Sequence, residues 1–166
     1  MFTLKSLSES SIEPALEKAE RYRLLNEPEE AESICRDVIA IDPDNQRALI
    51  MLALSLTDQF HVSVAIHFRE AREIVAHLQA EYDREYYAGI IDERRAKAAR
   101  QRGTTGWGHV AYEWLCEAMI RFERAEKLQP PGNDDASLRW NSCARLIMTD
   151  PTIKQEEHQA NPIELE

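Results

Sequence analysis

Apolar residues return along this chain every three or four positions, the spacing that lays one stripe down an α-helix. Read together with its caps and breakers, the pattern predicts seven helices near 12–25, 28–41, 45–58, 62–80, 82–102, 107–128 and 134–149, and no sheet. Ser10 and Glu13 have capping-box spacing ahead of the first helix. Pro28 suits the start of the second, because proline lacks the N–H that a first turn leaves unpaired, and Glu29 and Glu30 complement the positive end of the helix. Gly103 is placed to end the fifth. The longest apolar run, 48–56 with Ser55 inside it, is about half of the ~20 residues that cross a bilayer, so it predicts a core helix and no membrane association.

The stripe also repeats on a longer scale. Ala31, Cys35, Val38 and Pro43 share their spacing with Ala118, Phe122, Ala125 and Pro130. The first three of each set line one helical face, where small side chains admit a neighbouring helix, and the proline forbids continuation. Asp44 and Asn45, like Asn133, Asp134 and Asp135, then offer oxygens to cap the next helix. A middle copy, Val64, Phe68 and Ala71, has the same face spacing without the closing proline, and can equally be framed from Ala65. The two proline-closed copies read as helix, turn, helix, stop, and the preceding helices fit as well, since Ala19 precedes Ala31 at the same distance that Ala53 precedes Ala65.

On these residues, over about 12–148, the chain resembles the tetratricopeptide repeat family, whose 34-residue helix pair has small residues at the crossing and a proline after the second helix. It departs from the family where Ala15 and Lys18 stand in place of the Trp and Leu-Gly signature. The resemblance implies an all-α fold over 1–149: a right-handed superhelix of about three antiparallel helix pairs with a C-terminal capping helix. From Ala65 the third unit is longer than one period, which implies a lengthened third pair. It further implies an adaptor or chaperone-like module that binds a peptide or helix of another protein in a concave groove. Carried over residue by residue, the inner face holds Leu16 and Glu20, then Arg47, Ile50 and Leu54, then Tyr86, Ile90 and Glu93. Arg139 and Asn141, beside Trp140 on the last helix, are added as candidate groove ligands because Arg and Trp are enriched at binding hot spots. Leu16, Glu20 and Ile50 break the pattern of the Lys, Asn and Arg clamp with which some members grip a terminal carboxylate.

Composition narrows the classes. With 30 acidic against 20 basic residues in 166, a net charge of -10 opposes general binding to nucleic acid or an anionic membrane. Residues 1–11 are Ser-rich with no apolar run of secretory length, so a cytoplasmic protein is expected. Residues 150–166, with two prolines, four Glu and no apolar period, read as a mobile acidic tail.

One local feature runs against the acidic balance. Arg94, Arg95, Lys97, Arg100 and Arg102 form a basic stripe leading into a glycine-rich connector and Trp107. Arginines beside an exposed Trp suit an anionic ligand or RNA, which is the alternative function; a solvated helix end suits the same residues. His67, Glu70, Glu73 and His77 share a helix but not one face, so no metal site is expected, and no cofactor motif is present. Cys35, Cys116 and Cys143 have no His within a turn and read as core thiols, and no catalytic constellation emerges.

Overall fold

The computed structural model describes residues 2–156. Over that span the chain forms seven helices: α1 (Ile12–Leu24), α2 (Pro28–Ile39), α3 (Gln46–Asp58), α4 (Val64–Ala76), α5 (Glu81–Arg102), α6 (Trp107–Glu126) and α7 (Asp135–Thr149). There is no strand among the described residues.

Local chemistry decides where these helices start and stop. The Asn45 side chain accepts from the Ala48 amide at 2.9 Å, closing the first turn of α3. Asn26, at φ 62°, and Gly103, at φ 60°, turn the chain away after α1 and α5 in the left-handed region that halts a helix. The capping box at Ser10 does not form. A 3-10 turn, Glu9–Ser11, precedes α1, no side chain caps it, and the Glu13 carboxylate is held instead by Arg47 at 2.7 Å. The fourth helix is shorter at both ends than the apolar pattern predicts. Ser63 is extended before it, and after it the chain tightens so that Leu78 turns inward and is buried.

Each helix packs on its predecessor, and α3 touches both α1 and α5. The repeated small residues lie where they were expected: Ala31, Ala118 and Ala125 have no exposed surface, nor do Cys35, Val38 and Phe122. In the middle copy Ala65 is exposed while Ala71 and Val75 are buried, so that copy runs in the Val64 frame and distances counted from Ala65 do not describe the packing. Side-by-side contacts keep a period of their own. Glu13 meets Arg47 and Arg36 meets Glu70, each pair 34 residues apart. Further along, Glu93 meets Arg139 across 46 residues, and Phe68 meets Trp114 at the same separation. The longer step matches α5 and α6, which have 22 and 20 residues where the earlier helices have 12 or 13.

Two core clusters meet on α5. Ala88, Ile91 and Ala98 join the cluster of α1 to α4, whereas Ile90 and Ala96 join that of α6 and α7. The start of the expected tail belongs to the second cluster. Ile153 is 2% exposed, Asp150 pairs with Arg100 at 3.2 Å, and the His109 ring lies 2.9 Å from the Lys154 carbonyl oxygen. One large apolar side chain therefore docks a segment, 150–154, that has no periodicity to announce it. Glu156 is exposed, and the remainder of the expected acidic tail lies outside the described residues.

Candidate interaction face

Helices α1, α3, α5 and α7 are linked laterally by ion pairs. Between α1 and α3, Arg47 reaches Glu13 and Glu20 at 2.7 and 3.3 Å. At the far end of the same pair, Asp58 receives Arg23 from α1 at 2.8 Å and Arg94 from α5 at 2.5 Å. Arg94 also donates to the Leu54 carbonyl and the Thr57 hydroxyl, so one guanidinium joins the last turn of α3 to the middle of α5. Burial pulls Arg94 below the ordinary guanidinium range, and Asp58 pushes it back up. Between α5 and α7, the buried carboxylate of Glu93 is paired with Lys97 and, at 3.4 Å, with Arg139.

This face gathers some of the expected groove residues and not others. Glu20, Arg47, Glu93 and Arg139 lie in the ion-pair chain. Leu16 and Ile90 do not line it: at 0% and 3% exposure they are core, Leu16 closed over by Val38 and Ala48, and Ile90 by the cluster of α6 and α7. Ile50 and Leu54 are half-buried against the two clusters, and Tyr86 is half-buried between Tyr82, Tyr87 and Phe122. The apolar middle expected of the groove is thus largely the wall of the core. Asn141 is two residues from Arg139, about 200° around α7. It lines a separate cleft of about 540 Å³ with Phe122, Glu123 and Trp140, whose indole N–H donates to Glu123 at 3.0 Å.

Arg23 and Asp58 were missed by the sequence reading. The signal that finds such residues is opposite charge at about the separation of the other side-by-side pairs: Arg23 and Asp58 are 35 residues apart, close to the 34 between Glu13 and Arg47.

The basic stripe is divided. Arg94, Lys97 and Arg100 pair with Asp58, Glu93 and Asp150. Arg95 sits over the Phe68 and Trp114 rings, and Arg102 donates to the Phe60 carbonyl at 3.1 Å. Trp107 is half-buried against the second core cluster rather than presented to solvent.

On another side of α5, Asp92 is buried and holds Arg72 through both oxygens at 3.2 and 3.0 Å. Burial raises its carboxyl to about 6 despite the attraction of Arg72. Burial likewise pushes the Cys35 and Cys143 thiols up to about 12, which leaves them protonated and unreactive at neutral pH. His67 and His77 bond through Nδ1 to the carbonyls of Gln59 and Glu73, and among the described residues no three His, Cys, Asp or Glu converge as a metal site. No helix among the described residues is long and apolar enough to cross a membrane. In comparisons with known proteins, the chain matches no family model, no curated protein and no solved structure.

Proposed function

We propose that the chain is a helical-repeat interaction module of the tetratricopeptide kind, binding a peptide or helix of a partner protein across the face built by α1, α3, α5 and α7. The observation that carries this reading is the ion-pair chain at repeat spacing, in which Glu13 and Arg47 stand 34 residues apart and link the first helices of successive pairs. Such stacking gives a curved, right-handed array of antiparallel pairs, whose inner face is formed by those first helices. With Leu16 and Ile90 closed off, recognition falls to charge: Arg47 and Arg139 are 42% and 39% exposed and can exchange an internal carboxylate for one on a partner. The Arg47 pairs are exposed and contribute only ~0 to 1 kcal/mol each, so their exchange costs the fold little, and the buried Glu93 keeps Lys97 when Arg139 turns to a partner. Ile50, Leu54 and Tyr86 offer the partner partial apolar contact between those charges.

The test uses the whole chain as bait in extract of its native cell, beside an Arg47→Glu, Arg139→Glu variant shown by circular dichroism to keep its helicity. Proteins retained by the native chain and lost by the variant support the reading. Identical retention by both chains would exclude this face as the binding surface.

A further inference from the structure

Helical geometry sorts the five cations of α5 into two groups. At about 100° per residue, Arg94, Lys97 and Arg100 fall on one side and Arg95, Ala99 and Arg102 on the other. Every member of the first group has a carboxylate. The second group makes no ion pair among the described residues: Asp92, the acid that acts most on Arg95, already holds Arg72 through both oxygens.

Arg95 is nonetheless held in place. Its guanidinium carbon lies 4.1 Å from the centroid of Phe68 and 4.0 Å from that of Trp114, contacts that restrain the group without using its N–H donors. Arg102, two turns further on, uses one nitrogen on the Phe60 carbonyl. Between them is a pocket of about 200 Å³ lined by Val64, Arg95, Ala99, Arg102, Thr104 and Val110, with no acidic residue. Val64 is the first residue of α4 and Val110 lies in the first turn of α6, and neither first turn contains an acid. Val64 and Val110 thus bring the amino ends of α4 and α6, which repel no anion, beside a pocket that already contains two guanidinium groups.

We propose that this pocket binds a phosphoryl group, with Arg95 and Arg102 donating to its oxygens and the Thr104 hydroxyl at its rim. A phosphate monoester carries close to two negative charges at neutral pH, which matches two arginines better than a single carboxylate does. The group can reach the pocket as free phosphate or on a phosphorylated side chain. A long polyanion is opposed by the net charge of -10 on the rest of the chain. On α5, Arg95 is about 200° from Glu93, so the pocket lies away from the α1/α3/α5/α7 face and its test reads independently of the partner test.

The experiment is calorimetric titration of the full chain at low salt with inorganic phosphate and, separately, phosphoserine, with acetate and a single-stranded oligonucleotide as controls. Saturable phosphate binding that weakens with added salt is expected, and Arg102→Gln should reduce it at least about tenfold, the effect of losing one charge-assisted contact. Arg95→Gln should do the same. Because that change also removes a ring contact, Arg95→Lys, which keeps the charge and loses the fork, provides the second reading and should fall between. Arg100→Gln, whose partner is Asp150, should bind like the native chain. Tighter binding of phosphoserine than of phosphate assigns the pocket to a modified side chain, and equal binding assigns it to the free anion. The proposal is overturned by absence of saturable phosphate binding, by acetate binding as tightly, by an unchanged Arg102→Gln, or by an oligonucleotide that binds far more tightly than either phosphate.

Discussion

Gly89 stands inside α5, where glycine costs about 1 kcal/mol relative to alanine, and its reason is a neighbour: a Cβ there would lie 2.6 Å from the Phe122 ring, which has no exposed surface. Gly89→Ala is therefore expected to destabilise by about 1–3 kcal/mol in urea unfolding, despite the better helix propensity of alanine. A neutral or stabilising result would mean that Phe122 can swing aside. The contact was not legible in the sequence, since a lone glycine in a helical pattern says nothing about which ring faces it. Asp92 gives a second residue-scale expectation. Its carboxyl is near 6 in the folded chain and near ~4 when unfolded, so the folded state holds a proton more tightly. The associated stability is fully present below pH ~4 and is lost as pH rises through about 6, a difference on the order of 3 kcal/mol. Unfolding free energies measured from pH 4.5 to 7 should fall with this slope in the native chain and lose it in Asp92→Asn. An identical pH profile in both chains would show that another group sets it.

At the scale of helices, most of the architecture was readable because period and punctuation agree: apolar stripes set the faces, while Pro28, Asn45 and Gly103 mark ends that the structure keeps. The exceptions have local causes. Ser10 loses its capping role to a 3-10 turn, and the middle copy of the sequence pattern is framed by Val64 because burial, not matching letters, fixes the register. The five cations looked like one stripe in sequence, yet about 100° per residue puts them on two sides, and the neighbouring residues show that one side is ion-paired and the other, among the described residues, is not. Ala118, buried in α6, and Ala65, exposed in α4, test the packing reading as a pair. Ala118→Leu should force two helices apart at about 1–3 kcal/mol, whereas Ala65→Leu should stay within about 0.5 kcal/mol. Similar effects at the two sites would place Ala118 outside a crossing.

For the whole molecule, the candidate face was only partly legible. Its helices and several charges were identified, but whether Leu16, Ile50 or Ile90 faced a groove or the core depends on which helices close over each, α2 and α3 over Leu16 and α6 and α7 over Ile90, which no local pattern encodes. The end of the chain shows the same limit and offers the last test. Residues 150–154 lack periodicity, yet Ile153 is buried and a Cβ on Gly108 would come 2.1 Å from the Thr152 carbonyl oxygen, so the segment rests directly on the first turn of α6. Fully burying an isoleucine stabilises by about 1.5–3 kcal/mol, and the half-exposed Asp150–Arg100 pair adds about 1 kcal/mol or less. Ending the chain after Thr149 should therefore lower Tm by several degrees, since about 1 kcal/mol corresponds to ~2–4 °C at this size. Ending it after Lys154 should leave Tm close to native, because the docked segment is retained. Gly108→Ala should resemble the chain ending at Thr149, as the added methyl displaces the segment without removing it. Equal Tm values for the chains ending at Thr149 and Lys154 would show that the segment contributes nothing to stability, and that the second core cluster is complete without Ile153.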